Sequence, residues 1–95
     1  MKMGNQPKGK PGDLAIWWIP QVPGTPFWVK VKAVSEAAKL LRVLADYDIF
    51  QLDHHIKPDY SNAGGLSVFE DGEWVDWEND EGEGIDDLLR EADDD

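Results

Sequence analysis

LSVFEDGEWVDW, residues 66–77, consists of two alternating runs set around Asp71-Gly72. Asp-Gly between alternating runs is the strongest short-range hairpin signal, because both turn positions need positive φ. A two-residue turn also sets the register. It places Glu70 opposite Glu73, Phe69 opposite Trp74, Val68 opposite Val75 and Leu66 opposite Trp77. Side chains alternate across a strand, so Leu66, Val68, Val75 and Trp77 share the core face. Phe69 and Trp74 lie on the other face with Ser67 and Asp76.

Upstream, HHIKPDYSNAGG (54–65) reads as a loop. The residue before a proline avoids the helical region, so Ile56-Lys57-Pro58 is extended. Asp59, Ser61 and Asn62 are turn formers, and Gly64-Gly65 tolerates backbone angles that other residues resist. Before the loop, Ala37, Leu40, Leu41, Leu44 and Tyr47 fall at helical spacing and form one apolar face. Ser35 is the expected N-cap, and Glu36 in the first turn suits the helix dipole. DIFQLD (48–53) fits either more helix or another strand, and period does not choose between them.

DLAIWWIP (13–20) is a short apolar run suited to a strand buried on both faces and ended by Pro20. FWVKVK (27–32) sets Phe27, Val29 and Val31 against Trp28, Lys30 and Lys32, a half-buried strand with Trp28 on the wetter side. Between these strands Pro20, Pro23 and Pro26 repeat at the three-residue period of polyproline II. The link reads as a rigid connector, with a PxxP ligand for an aromatic groove as the alternative.

The order β-β-α-β-β implies a small two-layer α+β domain: an antiparallel sheet of about four strands packed on one helix, with a short acidic C-terminal helix or tail. Residues 1–12 form a flexible basic arm, 13–78 the domain, and 79–95 an acidic tail with room for a short helix. Trp18 and Trp77 are expected in the core. Trp28, Phe69 and Trp74 are expected on the less covered sheet face, under the arm, the tail helix or a second subunit unless they mark an interaction site.

Charge divides the chain of 95 residues. Residues 70–95 hold 14 acids and one base, a net of −13, whereas residues 1–69 are at +2. Direct contact with nucleic acid is therefore not expected. A solvated tail accounts for the acidic block, and a surface for a basic partner is the functional alternative. Cysteine is absent, which removes disulfides and thiol chemistry and favours a reducing compartment. No run reaches the roughly 18 apolar residues of a membrane span. A soluble protein of the host cytoplasm, without membrane contact, is the expectation.

Catalytic signals are weak. His54-His55 with Asp53 and Asp59 lacks metal-ligand spacing, and Ser61 with either histidine lacks a nucleophile elbow. Asp76, Glu78 and Asp80 start like a calcium loop, but Glu81 stands where glycine is required. No metal, cofactor or catalytic residue is assigned, and a small hydrolase is kept only as an alternative. The better candidate is a ligand pocket of Trp17, Trp28, Lys30, Lys57, Tyr60, Asn62, Gly64 and Gly65. Aromatic stacking, lysine charge and close backbone approach suit a small anionic or nucleotide-type ligand.

At WWIPQVPGTPF, DYDIFQ and IKPDYSNAGGLSVFEDGEW the chain resembles a group of small proteins of phages and other mobile elements, over roughly residues 14–80. The resemblance brings no activity and no catalytic residues. It implies a viral or mobile-element origin, and small phage proteins often bind a host component, frequently of a defence system. The leading expectation is a non-enzymatic binding protein that counters host defence by sequestering a nucleotide-type ligand. The rival is an acidic inhibitor that occupies a basic, nucleic-acid-binding surface of a host protein. A homodimer, with the exposed tryptophans at its interface, is compatible with both.

Overall fold

The computed structural model describes residues 6–20, 24–54 and 62–93. Its elements follow in the order β1 (Leu14–Ile19), β2 (Phe27–Val31), α1 (Val34–Asp53), β3 (Ala63–Glu70), β4 (Glu73–Asp76) and α2 (Ile85–Asp93). The strands form one antiparallel sheet in the order β2-β1-β3-β4, with both helices against it: a small two-layer α+β domain. The hairpin register is the expected one, with Phe69 opposite Trp74 and Val68 opposite Val75. Asp71 and Gly72 have φ of 53° and 84°, the two positive values a type I′ turn needs. Beyond β4, the Trp77 amide donates to Leu66 O at 3.0 Å and extends the same register.

Ile16, Trp18, Val31, Ala37, Leu41, Leu66 and Ile85 make the buried core, with Trp77, Leu44, Leu88 and Leu89 packed around it. Trp18 and Trp77 thus take the core positions read from the pattern. Of the alternating set in β2, only Val31 is buried, while Phe27 and Val29 stay exposed. Trp28, on the side expected to be wetter, is half-buried.

Two expectations for α1 are corrected. Ser35 does not cap α1; Ala33 is the N-cap residue and makes no side-chain cap bond. Glu36 Oε1 instead accepts the Lys32 amide at 2.6 Å, reaching back as the acid of a capping box does, one residue further. Tyr47 is not on the buried face but 57% exposed, because the buried stripe passes from Leu44 to Asp48. Asp48 is 2% exposed and accepts Asn62 Nδ2 through Oδ2, a bond that ties the end of α1 to the start of β3. Residues 48–53 are accordingly helix.

The loop ends earlier than read, since β3 starts at Ala63 and contains both glycines. Gly64 lies opposite Trp18 and Gly65 opposite Trp17. A Cβ on Gly64 would sit 2.4 Å from Trp18 Cε3, and one on Gly65 would sit 2.9 Å from Trp17 Cε2. Each indole covers the glycine across from it, which compensates the side chain that glycine lacks in a strand.

The acidic end is integral to the fold. Ile85 is 4% exposed in the core, and Leu88 and Leu89 pack against it. The connection is closed by Asn79, whose Oδ1 accepts the amides of Glu81 and Glu83 at 2.9 Å each. Asp87 Oδ2 accepts the Gly84 amide, and Asp86 and Asp87 occupy the first turn, where acids suit the dipole. No helix among the described residues is long and apolar enough to cross a membrane.

Candidate functional site

On the sheet face away from α1, Trp28 of β2 and Trp74 of β4 approach from opposite edges and meet at 6.0 Å between ring centroids. Phe69 stands edge-on to Trp74 at 5.2 Å. The small residues Ala15 and Ser67, paired on the two central strands, are buried between them. The chain's own N-terminal segment then lies on this aromatic surface. Trp74 Nε1 donates to Pro7 O at 2.9 Å, and Gly9 fits so closely that a Cβ would be 2.7 Å from the Phe69 ring. Gly12 N donates to Phe69 O, and Phe69 N donates to Asp13 O.

Lys30 fastens the segment from the side. Its Nζ is 3.0 Å from Asp13 Oδ2 and 3.2 Å from Lys8 O. The Lys10 amide donates to the same carboxylate at 2.9 Å. That amide, and then the Lys30 ammonium, hold the Asp13 carboxyl below its ordinary value. Trp28 Nε1 is buried with no hydrogen-bond partner among the described residues. The aromatic cluster expected on this face exists, and residues 7–12 cover it.

The residues read as a ligand pocket therefore occupy several places. Trp28 and Lys30 belong to the covered face. Gly64 and Gly65 lie in β3 against Trp18 and Trp17, and Asn62 is bonded to Asp48. Lys57 and Tyr60 lie outside the described residues, as do His55 and Ser61. The His54 ring stacks on Phe50 at 4.1 Å, with Nδ1 2.9 Å from Phe50 O. Among the described residues no group of three His, Cys, Asp or Glu could hold a metal ion.

Trp17, Gly64 and Gly65 are brought together along one open groove of about 370 Å³ beside the start of β3, the end of β4 and the start of α2. Its lining also includes the carboxylates of Asp76, Glu78, Asp86 and Asp87 and the guanidinium of Arg90. Arg90 is engaged by Asp87. Asp76, Glu78 and Asp86 leave the groove net negative, and Asp76, Glu78 and Asp86 are all exposed. A net-negative groove that an indole also lines suits a cation. The acidic block was visible in the sequence, but its return beside Trp17 depends on α2 docking, which charge alone does not disclose.

Comparison with known proteins agrees with this architecture in extent. The model of the superinfection exclusion gene product 17 family matches residues 13–94, from Asp13, where the covering strap of residues 7–12 ends, through α2. The chain is also 46% identical to the superinfection exclusion protein of Salmonella phage P22 over an alignment of 77 residues, covering 67% of this chain and 75% of that protein. No solved structure matches it. The match spans the sheet, both helices and the groove together, and the chain belongs to the superinfection exclusion gene product 17 family of phage proteins.

Proposed function

We propose that the protein serves superinfection exclusion as a non-enzymatic binding protein, and that the groove beside Trp17 is its contact surface for a basic segment of a protein partner. One observation carries this reading: exposed Asp76, Glu78 and Asp86 line the same groove as Trp17. A lysine or arginine laid on Trp17 gains cation–π attraction and charge-assisted hydrogen bonds at once. The net charge of −11 steers a basic partner toward the site and repels a phosphate backbone. Occupying a basic, nucleic-acid-binding surface in the host cytoplasm then blocks that surface by competition.

Sequestration of a nucleotide-type ligand has less support. Lys30, the lysine placed to hold an anion, is paired with Asp13, and the groove that Gly64 and Gly65 line is net negative. The test uses an oligoarginine peptide as probe, followed by tryptophan fluorescence. Wild-type protein binds it with an affinity that falls as salt rises. The triple variant Asp76→Asn, Glu78→Gln, Asp86→Asn binds at least about tenfold more weakly, a change of about 1.4 kcal/mol. Equal affinity of the two proteins overturns the assignment of the groove.

A further inference from the structure

The outer face of α1 carries a feature the groove does not use. Val43, Tyr47 and Phe50 are 54%, 57% and 50% exposed, and with His54 they recur at spacings of four, three and four. That spacing aligns them in one stripe along the helix, on the side away from buried Ala37, Leu41 and Asp48. The rings are already arranged: Tyr47 and Phe50 stack at 6.4 Å, and Phe50 and His54 at 4.1 Å. Ordering them on contact therefore costs little side-chain entropy.

We infer that this stripe is a homodimer interface, in which α1 packs antiparallel on α1 of a second copy. The choice of occupant rests on charge. Lys39, Asp46 and Asp53 recur every seven residues along one exposed flank of the stripe, while the opposite flank, with half-buried Leu44 and Gln51, carries no charge. Parallel helices would bring the charged flank against the uncharged one. Antiparallel helices bring like flanks together, so that Lys39 of one copy can meet Asp53 of the other. The register that sets Tyr47 on Val43 of the second copy, and Phe50 on Leu40, makes this pair twice by symmetry. It also sets Glu36 beside His54. Asp46 meets its own counterpart near the axis, the one unfavourable contact. The stripe is built from α1 alone, and beside it α2 presents Leu88 and Leu89, which share a groove with Lys39, Val43 and Asp46.

The test is sedimentation equilibrium on the full chain. Wild-type protein is expected to dimerise, and Phe50→Asp to be monomeric with an unchanged circular dichroism spectrum, since Phe50 is exposed. Lys39→Glu and Asp53→Lys should each weaken the dimer about fivefold or more, and the double swap should restore it. Asp46→Asn should tighten it. A wild-type chain that is monomeric at every soluble concentration overturns the inference. So does a dimer that survives Phe50→Asp, or single swaps that the double swap does not rescue. None of these outcomes depends on the groove.

Discussion

Gly64 and Gly65 show how one residue type can be read correctly in chemistry and wrongly in place. Glycine signals either a turn or a close approach, and beside Ser61-Asn62 the turn is the natural expectation. The deciding partners, Trp18 and Trp17, are more than forty residues earlier in the chain, and the pairing is invisible until β1 is laid against β3. Gly64→Ala is expected to destabilise the fold by about 1–3 kcal/mol, because Trp18 is buried and has nowhere to move. Gly65→Ala should cost less, since Trp17 borders the open groove. Urea unfolding of both variants measures the difference. Asp13 supplies a second residue-scale test. Its carboxyl is held below the ordinary value in the folded chain, so its contribution is present above that value and lost as pH falls through the lower, folded one. The Trp74 indole N–H, bonded to Pro7 O, reports the strap by NMR. It should shift toward a solvent-exposed position in acid, and Asp13→Asn should produce the same shift at neutral pH.

At the scale of elements, what is local was legible. The Asp71-Gly72 hairpin, its register and the helical face through Leu44 follow from spacing and turn chemistry alone. The strand order, with β1 central, was not, nor was the destination of α2. An amphipathic nonapeptide in an acidic end looks the same whether it docks or remains solvated, and only the core vacancy it fills distinguishes the two. Ile85→Ala is therefore expected to cost about 2–4 kcal/mol, as for a buried aliphatic side chain elsewhere. Removing residues 79–95 should unfold the domain, not merely lower its charge. Asp86→Asn, on the exposed side of the same helix, should change stability by less than about 0.5 kcal/mol. Thermal or urea denaturation separates these cases. The contrast also dictates how the groove must be probed: by replacing charges, not by truncation.

Across the whole molecule, the two faces of the sheet have different uses. One holds α1 and the core. The other is closed by the chain's own residues 7–12, so the tryptophans most open to suspicion as a binding surface are largely internal. Three exposed acids, Asp76, Glu78 and Asp86, instead line the groove that Trp17 shares with β4 and α2. In the sequence this site was legible as Trp17, Gly64, Gly65 and a charge imbalance, but its acidic walls were not placed beside them, because they come from segments separated from Trp17 by some sixty residues. Membership of a superinfection exclusion family makes its role measurable in cells. The direct measurement is plaque formation by a superinfecting phage on hosts producing either wild-type protein or the Asp76→Asn, Glu78→Gln, Asp86→Asn variant at matched levels and with matched unfolding midpoints. Exclusion by the wild type and its loss in the folded variant is the predicted result. Full exclusion by the variant would contradict the groove as the working surface.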